Sequence, residues 1–160
     1  MEQTGTYVKI LRESLERKRR YLTELLQITN EQSMIATAEK FDDTRFSEIV
    51  EKKDVLIDNI NEIDKGFSAV YDRVRTEMQA DPVSYRTDLK AIQELIRTCV
   101  DLGMQIKAVE ERNRAAMEQV FATKFQGVRQ MKQSKTVANK YYKLMANGMV
   151  NDSLLYDQKK

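Results

Sequence analysis

Between Phe46 and Val74 the chain repeats apolar side chains with a period of seven. Phe46, Lys53, Ile60, Phe67 and Val74 form one series, and Ile49, Leu56, Ile63 and Val70 follow three residues behind. This 3-4 alternation lays one apolar stripe along a helix, and the stripe must be buried against other helices. Five-sixths of the chain reads as three long amphipathic helices of this kind, so the fold class is all-α. The pattern leaves no strands to build a pocket and no glycine loop, and the chain has no histidine.

Gly and Pro punctuate helical patterns, and here they stand only at Gly5, Gly66, Pro82, Gly103, Gly127 and Gly148. The first helix is expected to begin near Thr4 or Thr6, either of which could act as N-cap. Its stripe uses Val8, Leu11, Leu15, Leu22 and Leu25, widened by Leu26 and Ile28, and it thins toward Met34, Ile35 and Ala38. Phe41-Asp42-Asp43-Thr44 predicts a turn, because Asp and Thr compete for backbone donors and favour helix starts. The absence of Gly and Pro from Thr6 to Lys65 also allows one continuous helix there.

The second helix is predicted from about Arg45 to Met78, with Gly66 inside it at a cost of about 1 kcal/mol relative to alanine. Ala80-Asp81-Pro82 marks the clearest boundary, with Asp81 as cap and Pro82 in the first turn of the third helix. That helix carries Tyr85, Leu89, Ile92, Ile96, Cys99, Gly103 and Ile106 on its stripe. Unbroken to Met145 it would exceed 60 residues, roughly 90 Å at 1.5 Å per residue. The expected architecture is an elongated antiparallel bundle of three long helices. Helices one and two pack antiparallel to each other and to the first half of the third. The second half extends beyond the bundle, with Gly127 as a candidate bend.

Charge divides the chain at about the same place. Residues 124–160 hold eight basic residues and two acidic ones, Asp152 and Asp157, for a charge of +6; the whole chain is +2, so residues 1–123 carry −4. A bundle core over 1–123 and a basic amphipathic extension over 124–160 are therefore the two expected units. The extension has a wide apolar face: Val128, Met131, Val137, Tyr141, Tyr142, Leu144 and Met145, together with Ala138. Four readings remain open for it. It could track a phosphate backbone with aromatic stacking, lie on an anionic membrane, receive a partner helix, or fold back on its own bundle. The acidic core and small net charge speak against nucleic acid.

Catalytic chemistry has little to stand on. Without histidine the usual general base and the commonest metal ligand are missing, so no enzyme activity, metal or cofactor is expected. Glu110 and Glu111 are adjacent and point to different faces of a helix. Cys99 lies in register with Ile92 and Ile106 and reads as a buried packing residue. As a lone cysteine it has no internal disulfide partner, which fits a reducing, cytoplasmic setting. No apolar run nears the roughly 18 residues that cross a bilayer, and the N-terminus lacks a signal-peptide core, so stable membrane insertion is not expected. Lys53 is the odd member of its stripe. It reads first as a stem packed at the seam edge with its ammonium in water; the alternative is a register-setting ion pair. Gln105, Glu110 and Asn113 read as the place where the third helix leaves the bundle.

The run Glu51-Lys52-Lys53-Asp54-Val55-Leu56-Ile57, continuing through Ile60, Ile63 and Asp64 to Phe67, resembles the central helix of flagellar export chaperones of the FlgN/FliT type. Leu22, Leu25 and Leu26, the acidic break Asp42-Asp43, and Lys53 ahead of Leu56-Ile57 match the order of features in those chains. Ala108-Val109-Glu110-Glu111-Arg112-Asn113 and Tyr141-Tyr142-Lys143-Leu144-Met145 are similar to versions from Gram-positive relatives. The resemblance implies a cytoplasmic chaperone without ATP chemistry. It would bind the terminal helices of hook–filament junction proteins and present them to the flagellar export apparatus. The client face would be Val128, Met131, Val137, Tyr141, Tyr142, Leu144 and Met145. The alternative is a coiled-coil scaffold subunit whose C-terminal helix pairs with its own copy, as in a homodimer.

Overall fold

The computed structural model describes the backbone of residues 2–124 and the side chains of residues 5–123. Three helices account for nearly all of it: α1 (Glu2–Ala36), α2 (Asp43–Ala80) and α3 (Arg86–Lys124). Their described parts comprise 35, 38 and 39 residues, with α3 described as far as Lys124. Lys18 meets Asp64 and Gln32 meets Lys53, so α1 and α2 run antiparallel. Arg12 meets Asp88 and Thr29 meets Asn113, so α1 and α3 run parallel. The up-down-up order corrects the expectation that helix one opposes helix three: two short connections return the third helix to the direction of the first. The backbone of α1 runs close to both other helices, whereas α2 and α3 reach each other with long side chains such as Lys53 and Phe46.

Packing decides where the helices begin. Thr4 and Thr6 stand inside α1, ahead of which the helix already starts at Glu2. Neither threonine is therefore its N-cap, and the first apolar contacts with the rest of the bundle come from half-buried Tyr7 and buried Val8. Asp42 caps α2: its carboxylate accepts from the Arg45 N–H at 3.1 Å, and Asp43 places a negative charge at the positive end of the helix dipole. A break does separate the two helices, but it spans residues 37–42 rather than Phe41–Thr44, since Asp43 and Thr44 already belong to α2; one continuous helix is excluded. At the other boundary Asp81 accepts from the Ser84 N–H at 3.4 Å and from the Ser84 hydroxyl at 2.7 Å. These bonds close a turn over residues 82–85, and α3 begins only at Arg86, four residues beyond Pro82.

The core follows the predicted stripes. Phe46, Ile49, Leu56, Ile60, Ile63, Phe67 and Val74 are buried on α2, and Ile92, Ile96, Cys99 and Ile106 on α3. Each such side chain contributes about 1.5–3 kcal/mol relative to leaving it in water. At the end of the bundle that holds the α1–α2 connection, Phe46 is flanked by Phe41, ring centroids 5.4 Å apart, and by Phe121 edge-on at 6.1 Å. The proposed continuation of the third helix beyond Lys124 to Met145, the bend at Gly127 and, apart from the Lys124 backbone, the extension over 124–160 lie outside the described residues.

Candidate functional site

Seven polar side chains are buried in this apolar core: Lys18, Thr29, Gln32, Lys53, Asp64, Glu110 and Asn113. They form two groups. In the first, the Lys53 ammonium donates to Glu110 Oε1 and, at 2.9 Å, to Gln32 Oε1. The Thr29 hydroxyl donates to the Leu25 carbonyl at 2.7 Å and lies 3.5 Å from Glu110 Oε1. Asn113 donates its amide to the Thr29 carbonyl at 3.1 Å. All three helices meet in this group. In the second, Lys18 on α1 donates to Asp64 on α2 at 2.5 Å.

Lys53 is 2% exposed, which overturns its reading as a snorkelling residue at the seam edge. The alternative, an ion pair with another helix, is what forms, because Glu110 and Gln32 bring acceptors to the ammonium where water cannot. Glu110 and Asn113 do not mark the departure of α3 from the bundle either. Both are buried because α1 and α2 supply their partners, while Gln105 and Glu111 are exposed, so Glu110 and Glu111 do point to different faces. The Lys18–Asp64 pair was not anticipated. Its signal was present: Lys18 occupies the core series Leu11, Lys18, Leu25, Gln32, and Asp64 the series Val50, Ile57, Asp64, Tyr71, Met78.

Burial dominates the electrostatics of these groups. It pulls the Lys53 ammonium below its ordinary value, with the Glu110 carboxylate offsetting part of the effect. It pushes Asp64 up, against the attraction of Lys18, and Asp64 Oδ2 accepts no hydrogen bond. Cys99 has no exposed surface, and burial pushes its thiol up to about 11. A thiol in that state is a packing group rather than a nucleophile. Among the described residues no three His, Cys, Asp or Glu side chains gather to hold a metal ion, and no helix is long and apolar enough to cross a membrane.

The outer surface of the bundle is equally informative. Its large exposed apolar residues are Ile10 and Met34 on α1, Val55 on α2, Val83 in the turn and Met104 on α3. No two lie on neighbouring turns of one helix, so they form no stripe, and single residues of this kind are ordinary on a protein surface. Two surface hollows are lined by charge: Lys9, Arg12, Glu13, Glu16 and Asp88 around Gly5, and Asp43, Glu48 and Glu51 with Thr44 and Ser47 at the start of α2. Neither offers an apolar seat. The face expected to bind a partner, Val128, Met131, Val137, Tyr141, Tyr142, Leu144 and Met145, lies outside the described residues.

These features define an all-α bundle whose apolar stripes close on one another and whose buried polar groups join its own helices. The family model described as FlgN protein matches residues 1–146, and the chain belongs to that family. The family is one of flagellar export chaperones, non-enzymatic proteins of flagellum assembly. No curated protein and no solved structure is matched by the chain.

Proposed function

We propose that this chain is a cytoplasmic chaperone of flagellar type III export that binds the amphipathic terminal helices of hook–filament junction proteins. Bound in this way, a client helix is kept from assembling early and is presented to the export gate. The observation that carries this reading is the closure of the bundle's own apolar stripes. Leu11, Leu22, Phe46, Ile60, Ile96 and Met117 are buried, and the large apolar residues that residues 5–123 expose are scattered rather than aligned in a stripe. This favours a docking face in the rest of the chain, and the apolar positions of residues 124–160 are the candidate for it. The family match runs to residue 146 and so takes in every residue proposed for the client, from Val128 to Met145.

The physics fits a carrier. An amphipathic helix exposed before assembly is an aggregation hazard, and laying its apolar face on another helix hides it. Tyr141 and Tyr142 supply rigid amphipathic area, and Met131 and Met145 adapt their shape. Ordering a flexible client terminus costs about 2–5 kcal/mol, which keeps the complex reversible enough for handover. In this reading residues 1–123 are the scaffold and 124–160 the docking unit. Co-expression with hook–filament junction proteins tests it: one of them should copurify with the full chain. Copurification undiminished after Tyr142→Ala and Met145→Ala would remove the proposed face, and failure of every junction protein to copurify would remove the proposed client.

A further inference from the structure

A stripe that repeats every seven residues looks the same after a slide of one heptad, so apolar periodicity alone does not set how far α2 sits along its neighbours. In α2 the series from Phe46 to Val74 is broken only at Lys53, and the series from Val50 to Met78 only at Asp64. In α1 the series from Leu11 to Gln32 is broken at Lys18 and Gln32, and in α3 the series Ile96, Gly103, Glu110, Met117 is broken by a charge at Glu110. The residues that break the repeats are the ones that meet: Lys53 with Gln32 and Glu110, and Asp64 with Lys18.

We propose that these side chains are a register lock that holds α2 at one height between α1 and α3. A slide of one heptad moves α2 by about 10 Å. It sets Phe46 or Ile60 opposite Gln32 and Glu110, sets Ile57 or Tyr71 opposite Lys18, and carries Lys53 and Asp64 into apolar layers. Apolar layers tolerate such exchanges; a buried charge separated from its opposite does not. The two pairs also have opposite polarity along α2, positive at Lys53 and negative at Asp64. An α2 laid in the reverse direction would bring like charges together, which selects against it. The connections do not enforce the register by themselves. Residues 37–42 and 81–85 span up to about 20 and 17 Å when extended, enough to absorb a slide of this size.

The test reads the register directly. Spin labels are placed on cysteines introduced at exposed Lys9 and Lys52, near opposite ends of the α1–α2 pair, in a full-length chain carrying Cys99→Ala. Pulsed dipolar spectroscopy of this chain should give one narrow distance distribution. With Lys18→Leu, Lys53→Met, Asp64→Leu and Glu110→Leu added, a second population displaced by about 10 Å is expected. A single distribution unchanged from the parent overturns the lock. Should that variant fail to fold, the exchanged pair Lys53→Glu with Glu110→Lys decides. Opposite charges in either order serve the lock, and the Gln32 amide can donate or accept, so the parent distance should persist; its loss overturns the proposal.

Discussion

Lys53 on α2 and Glu110 on α3 form an ion pair 57 positions apart in sequence and almost wholly removed from water. Their value to the fold is conditional on both being present. Lys53→Met leaves a carboxylate in the core without its ammonium, and a loss of about 3–5 kcal/mol is expected. Lys53→Met combined with Glu110→Leu removes both charges and should be close to neutral, or more stable by about 1–4 kcal/mol. Urea titrations of the parent, the single and the double variant measure this. A double variant as weak as the single one would mean that the pair itself supplies net stabilisation.

Asp64 makes stability depend on pH in a definite direction. Burial raises its pKa above the ordinary 3.8, so the folded chain takes up this proton at a higher pH than the unfolded chain does. The stabilisation from that uptake is present at low pH and is lost as pH rises through the folded value. Relative to Asp64→Asn, which does not titrate, the parent should therefore gain stability as pH falls from about 7 to about 4. Urea midpoints of the two proteins across that range are the measurement. The reverse trend would mean that the Lys18 attraction outweighs desolvation.

Cys99 should be inert in the folded protein. Its thiol has no exposed surface, lies 3.9 Å from the Leu15 carbonyl, and is held at about 11. At about pH 8 only about one thiol in a thousand would be ionised even if reagent could reach it. Labelling with a disulfide reagent should be at least about 100-fold slower than for a free thiol, and should become fast above the urea midpoint. Prompt labelling under native conditions would contradict this burial.

Gly66 offers a simple gain. It stands inside α2, exposed, and a Cβ built there meets nothing within 4 Å. Gly66→Ala should raise stability by about 1 kcal/mol, or about 2–4 °C in Tm. A thermal melt checks it, and a lower Tm would show that the space at this position serves a contact.

Much of the scaffold was legible because its cause is local. The seven-residue repeat of α2, the Asp42 cap and the break at Ala80-Asp81-Pro82 are each written within a few neighbouring residues. The polar core was less legible because its cause is not local. Lys53 stood out within its own stripe, but the acceptors that let it stay buried come from Gln32 and Glu110 on two other helices. Lys18 was hidden for a different reason: Leu11, Leu15, Leu22 and Leu25 complete a convincing stripe without it. Glu110 and Asn113 looked like interruptions of α3 because a polar residue in a stripe has no visible partner until the helices are packed. The start of α3 at Arg86 rather than Pro82 does have a local cause, the Asp81–Ser84 turn, but the Asp-Pro pair reads equally well as a cap followed by a first helical turn.

The central claim, that a self-contained bundle carries its docking face in the last third of the chain, is tested most directly by calorimetric titration. A peptide covering the terminal helix of the junction protein that copurifies is titrated into the full chain and into residues 1–124. Both proteins should show the same helical fold and cooperative unfolding by circular dichroism. Only the full chain should bind the peptide, with Tyr142→Ala and Met145→Ala together weakening it by at least about tenfold, or 1.4 kcal/mol. Equal affinity of the full chain and of residues 1–124 for the peptide would contradict the account.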